Sequence, residues 1–330
     1  FDVAGRGSSL WDKQISIGHP APRSDTIAEL PDTGRQQLQK KRPYLLFDAG
    51  GTLVFPDEEF LIAVALASGI HLTHEQLRDA YYQIIYELDQ KARQKPPFPE
   101  DPWPDGYART LATTLGLPNR VATRLAEEWR QRHDDRNLWT FTRPEVRETL
   151  ILLKRAGYRM SVLSNSDGRT RTVFKDLRLL SFFDYIFDSK KLRAEKPQRQ
   201  VFDKILSKLR LSPRDVIYIG DIYTVDVWGA RAAGMGAIHL DPLGNYGDWP
   251  GIHLPSVEAL PRWLECYRAR PRAYPLFEPR RIPYLERAER ETGRKSSSRP
   301  SPTYRHKPGT FETLVKWPAL TCWKRQRRAV

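Results

Sequence analysis

The stretch Tyr44-Leu45-Leu46-Phe47-Asp48-Ala49-Gly50-Gly51-Thr52-Leu53 decides how the rest of the chain is read. Four apolar residues in a row, without polar alternation, suit a strand covered on both faces, as in a parallel sheet. The run stops at an acid followed two residues later by a pair of glycines, so the strand feeds a tight turn with a carboxylate at its tip.

Working outward, the same kind of strand returns at Met160-Ser161-Val162-Leu163, Tyr185-Ile186-Phe187, Val216-Ile217-Tyr218-Ile219 and Gly236-Ala237-Ile238-His239-Leu240. Helical periodicity fills the gaps, over Glu145 to Ala156, Arg171 to Leu177, Arg199 to Leu209 and Val225 to Ala233. Regular strand-helix alternation predicts an α/β fold with a parallel sheet covered on both faces, and function at the carboxyl ends of its strands. Between Asp57 and Thr142 the apolar spacing is helical throughout, broken by the Pro-rich stretch Lys95 to Pro104. The expected division is a loose N-terminal extension over 1–42, an α/β core over 43–56 and 143–266, a helical insertion over 57–142, and a flexible basic extension over 267–330.

Polar residues of a telling kind follow these strands: Asp48 after the first, Ser164-Asn165 after the second, and Gly220-Asp221 with Asp226 after another. Lys196-Pro197 falls between the last two. A carboxylate can attack phosphorus or an activated carbon when a cation offsets repulsion from an anionic substrate. Asp48, Asp221 and Asp226 together would be a costly cluster of negative charge without a divalent ion among them, and Lys196 can screen part of it. The Ser164 hydroxyl, with the backbone amides of Gly50, Gly51 and Asn165, suits a phosphoryl group.

In order, Phe47-Asp48-Ala49-Gly50-Gly51-Thr52-Leu53, Val162-Leu163-Ser164-Asn165, Glu195-Lys196-Pro197 and Ile219-Gly220-Asp221 through Asp226 resemble the four motifs of the haloacid dehalogenase (HAD) superfamily, over Tyr44 to about Trp263. The resemblance implies a Rossmann-like parallel core with an all-helical cap inserted between the first and second motifs. It implies Asp48 as a nucleophile that forms an aspartyl intermediate, Lys196 as the residue that steadies the charges, and Thr52 and Ser164 as substrate-positioning groups. It also implies Mg2+ held by Asp48, the Gly50 carbonyl, Asp221 and Asp226. One position departs from the family's phosphatases, where the residue two after the nucleophile is a second Asp acting as general acid and base. Glycine cannot move a proton, which typically costs about 10²- to 10⁴-fold in rate.

The net charge of +14 invites a nucleic-acid reading until its location is counted. From Tyr44 to Cys266 there are 30 Lys and Arg against 30 Asp and Glu, whereas Tyr267 to Val330 carries 17 against 5. Nucleic acid is therefore expected at the tail or nowhere. Two cysteines, Cys266 and Cys322, exclude a disulfide framework. His71, His74, His133 and His239 show no ligand spacing and are assigned packing or surface roles, and the aromatics Tyr81, Tyr82, Tyr86, Trp103 and Tyr107 are assigned to the core of the helical insertion. No apolar run reaches the ~18 residues a membrane helix needs, and the first residues lack a secretory pattern, so a cytoplasmic protein is expected.

These features predict a magnesium-dependent hydrolase of small phosphorylated metabolites. Two alternatives stay open: a 2-haloacid dehalogenase, whose halide leaves without a proton, and a catalytically weak scaffold whose tail binds RNA or an acidic partner. Substrate identity and oligomeric state are left open.

Overall fold

The computed structural model describes residues 42–94, 105–269 and 276. The expectations for residues 1–41, for the Pro-rich break and for most of the basic extension lie outside the described residues.

Strand β1 (Tyr44–Phe47) is buried along its whole length, as its apolar run requires. It lies between β4 (Met160–Ser164) and β6 (Val216–Gly220) and pairs with both in parallel. With β5 (Tyr185–Asp188), β7 (Gly236–Leu240) and β8 (Ile252–Leu254) these form a parallel sheet in the order β5-β4-β1-β6-β7-β8. All five expected strands are present. The sixth, β8, was not anticipated, because three residues beside Pro250 and Gly251 carry no periodicity.

Successive side chains of β1 point to opposite faces, and each face has its own apolar layer. Leu45 and Phe47 join Val146, Leu150 and Leu153 of α5 (Pro144–Arg155), Val173 and Phe174 of α6 (Thr170–Asp176), and Leu260 and Leu264 of α10 (Leu260–Ala269). Tyr44 and Leu46 join Val201, Phe202 and Ile205 of α8 (Arg199–Leu209), which follows the short α7 (Ser189–Leu192), and Ala230 of α9 (Trp228–Ala232). This is the doubly covered α/β sheet that the strand runs predict. The basic extension has one described anchor beyond α10, the buried Leu276.

Between β1 and β4 the chain forms α1 (Glu58–Leu66), α2 (His74–Gln94), α3 (Asp105–Thr114) and α4 (Asn119–Arg136). Leu61, Ile84, Leu111, Leu125 and Trp129 give this segment an apolar cluster of its own. The expectation that 57–142 is made of helices alone meets one difference. Trp139–Phe141 is a strand, β3, antiparallel to β2 (Phe55–Pro56) with Phe55 opposite Phe141. These β-prone residues sit where the insertion leaves and rejoins the core, in runs too short to announce themselves. A second difference lies after β6, where a π-helical turn over Tyr223–Val227 precedes α9 and begins two residues before the helix expected from Val225.

Candidate active site

Because β1, β4 and β6 are neighbours, their carboxyl ends share one edge of the sheet. Asp48 follows β1, Ser164 ends β4 and Asp221 follows β6. The Asp48 amide donates to the Ile219 carbonyl at 2.8 Å, carrying the β1–β6 ladder up to the acid. Asp226 returns to the same point from the π-helical turn, where its Oδ2 accepts from the Ile222 amide at 3.0 Å. Carboxylate oxygens of Asp48, Asp221 and Asp226 all lie within 4.8 Å of one another, and all three residues are buried.

Lys196 enters from the loop before α8 and donates to Asp48 Oδ1 and, at 2.8 Å, to Asp226 Oδ1. Burial alone would lower its pKa, but Asp226 and Asp48 outweigh that and hold the ammonium above its ordinary value. Asp48 is pushed up to about 6 by burial, against the pull of Lys196. Burial pushes Asp221 well above the ordinary carboxylate range, and the charges of Asp48 and Asp226 add to it. One buried ammonium facing three carboxylates leaves an excess of negative charge when all are ionised. The all-oxygen donor set fits a hard divalent cation such as magnesium.

The residues expected to hold substrate divide. Ser164 is buried at the end of β4, on the strand next to Asp48. Other expected contacts are engaged within the protein. The Gly51 amide donates to the Val54 carbonyl at 2.9 Å, closing the turn after Asp48 instead of pointing at a ligand. The Thr52 hydroxyl donates to Asp221 Oδ1 at 3.3 Å. The Asn165 side chain clamps Lys196, accepting from its amide and donating to its carbonyl, both at 2.9 Å. Glycine is required at 51, where φ is +72° and a Cβ would overlap Asp221 Oδ2 and the Tyr81 hydroxyl.

Four further residues reach the site without having been singled out for it. Tyr81 and Tyr82 pack in the helical segment's core as expected, yet their hydroxyls leave it. Tyr81 donates to Asp221 Oδ2 at 3.2 Å and Tyr82 to the Gly51 carbonyl at 2.9 Å. Asp89, on the same helix, accepts hydrogen bonds from the turn that carries Asp226. Burial, with His253 beside it, pushes His239 well below its ordinary pKa, so a neutral ring donates its Nε2–H to the Asp221 carbonyl at 2.9 Å. Spacing along α2 gives a weak signal for the tyrosines, and none marks Asp89 or His239.

The family model of haloacid dehalogenase-like hydrolases matches residues 44–234. Haloacid dehalogenase-like hydrolase domain-containing protein 3 of Xenopus laevis is 30% identical over 140 residues, covering 42% of this chain and 57% of the relative. Glyceraldehyde 3-phosphate phosphatase of Methanothermobacter thermautotrophicus is 36% identical over 98 residues, covering 29% of this chain and 42% of the relative. The chain thus spans about half the length of the curated relatives it matches. Among solved structures, a magnesium-bound HAD hydrolase from Bacillus subtilis is 21% identical with a TM-score of 0.48, covering 68% of this chain and all of that one. With a family model matched over more than half of the chain, including β1, β4, β5, β6 and the acidic cluster, the chain belongs to the haloacid dehalogenase-like hydrolases.

Proposed function

We propose that the chain hydrolyses small phosphate monoesters through an aspartyl-phosphate on Asp48, with magnesium held by Asp48, Asp221, Asp226 and the Gly50 carbonyl. The supporting observation is the buried cluster of three carboxylates around one lysine at adjacent strand ends. Magnesium bound there would offset the phosphoryl charge and polarise the phosphoryl oxygens. Lys196 engages Asp48 Oδ1, leaving Oδ2 to attack phosphorus as the ester oxygen departs. Ser164 donates to a phosphoryl oxygen, and Asn165 fixes the backbone of Lys196 so that its ammonium stays on the nucleophile. Water then attacks the phosphorus, releasing phosphate and restoring the carboxylate. Since Gly50 cannot donate a proton, substrates with weakly basic leaving groups, aryl phosphate esters or acyl phosphates, are favoured over alkyl phosphates. Phosphatases among the relatives, such as the one above and a phosphoglycolate phosphatase of Haemophilus influenzae, support a phosphorylated metabolite as substrate class.

The test is initial-rate hydrolysis of p-nitrophenyl phosphate, acetyl phosphate and a panel of metabolite monoesters, with magnesium, with excess chelator and with Asp48→Asn. Turnover that requires magnesium and disappears in Asp48→Asn is expected. Turnover of a 2-haloacid in chelator would replace the reading with dehalogenation. A folded protein that turns over nothing but binds RNA with steep salt dependence would replace it with a scaffold.

A further inference from the structure

Asp89 lies on α2, in the helical segment, with no exposed surface at all (0%). A fully buried carboxylate persists only if its oxygens are well satisfied. Asp89 Oδ2 accepts from the Tyr223 amide at 2.9 Å and the Tyr246 hydroxyl at 2.7 Å. Its Oδ1 accepts from the Thr224 amide at 2.9 Å and from the Thr224 hydroxyl. The first two amides of a helical turn have no partner within the turn and need an acceptor. Here the residue in the usual capping position is Ile222, which has no oxygen in its side chain. The cap comes instead from a helix 134 residues earlier in the chain.

We infer that Asp89 is a positioning residue for the metal site, supplying from a distant helix of the same chain the N-terminal cap of the Tyr223–Val227 turn and so fixing Asp226 relative to Asp221. This inference rests on the proposed magnesium site. The turn begins two residues after Asp221 and contains Asp226, whose Oδ2 is itself held by the Ile222 amide. Anything that frees the Tyr223 and Thr224 amides loosens the backbone between two of the three carboxylates. The same helix holds Asp221 through Tyr81 and the Gly51 carbonyl through Tyr82, so docking of α2 and assembly of the acidic cluster are one event. By linkage, metal on the cluster strengthens docking of α2 to the same degree.

The experiment compares the full chain with Asp89→Asn at pH 7.5 by amide hydrogen exchange without metal and by calorimetric titration with magnesium chloride. An amide side chain keeps the shape but offers one oxygen to four donors. Exchange should accelerate selectively at Tyr223 and Thr224, and magnesium affinity should fall by about 10- to 100-fold, the usual effect of removing a group that orients metal ligands. Turnover of p-nitrophenyl phosphate should then recover largely at saturating magnesium, a split that a general loss of stability would not give. Unchanged exchange at these two amides, or unchanged magnesium affinity in a folded Asp89→Asn, would overturn the inference. If Asp89→Asn does not fold, Asp89→Glu, which keeps the charge but carries the carboxylate one methylene away from the two amides, carries the same two measurements with the same readings. Failure of the wild-type protein to bind magnesium refutes the metal site itself, and exchange at Tyr223 and Thr224 then decides the capping role alone.

Discussion

Replacing Gly50 by Asp installs an acid two residues after Asp48, the proposed nucleophile, and the structure allows its effect to be bounded. Gly50 is not among the glycines with positive φ, so the backbone accepts a side chain. A Cβ there would stand 3.2 Å from Trp139 Nε1 and 3.4 Å from its Cδ1, a tight contact that needs the indole of β3 to give by a few tenths of an ångström. General acid-base help of 10²- to 10⁴-fold corresponds to about 3–5 kcal/mol off the barrier for a basic leaving group. Crowding a packed site typically costs ~1–3 kcal/mol. Even with the lower gain and half of the crowding borne by the transition state, kcat/KM for an alkyl phosphate should rise about tenfold. An aryl phosphate, whose leaving group needs no proton, should change little. Pairing Gly50→Asp with Trp139→Phe removes the nearest atom and should enlarge the alkyl gain. The assay is initial rates on a matched alkyl and aryl pair, with thermal unfolding measured alongside. Equal alkyl and aryl rates in the unmodified protein, or equal gains on both in the variant, would refute the reasoning.

Lys196→Met should leave three buried carboxylates without their ammonium and destabilise the metal-free protein by about 3–5 kcal/mol; thermal unfolding in chelator measures the loss, and millimolar magnesium should recover part of it. Tyr82→Phe removes the hydrogen bond to the Gly51 carbonyl and should cost about 1 kcal/mol in denaturant unfolding, since the ring stays packed. Burial pushes Asp89 up to about 6 despite its donors, above the ~3.9 of an unfolded chain. A raised carboxyl contributes stability that is fully present below about pH 4 and lost as pH rises through 6. The stability of wild type relative to Asp89→Asn should therefore fall between pH 4 and 7, by up to ~3 kcal/mol, and a flat or rising difference would refute that assignment.

The sheet was legible because its strands are continuous apolar runs, and the acidic cluster because Asp48 and Asp221 stand where those runs stop. Order in the sheet then makes neighbours of residues far apart in sequence, such as Phe47 and Ile219. What stayed hidden depends on backbone groups or on very short segments. Asp89, one of four acids on α2, looks from sequence like a solvated charge, since two of its four donors are backbone amides that leave no mark on residue type. The engagement of the Gly51 amide with Val54 was hidden for the same reason, because glycine suits both a phosphate cradle and a tight turn. β2 and β3, with two and three residues, offer no period to detect.

The pairing of Phe55 with Phe141 also bears on how such a chain can change over evolution. Both crossings between the sheet and the helical segment meet at this clasp, so a foreign helical segment could be spliced in there without disturbing the order of the parallel strands. Most of a transplanted segment would be free to vary. A donor lacking a counterpart to Asp89, however, would leave the Tyr223 and Thr224 amides without an acceptor, and the chimera would inherit Asp48 beside a slack Tyr223–Val227 turn. Recombination between relatives at this clasp is therefore constrained less by the seam than by a single carboxylate in the middle of the exchanged piece.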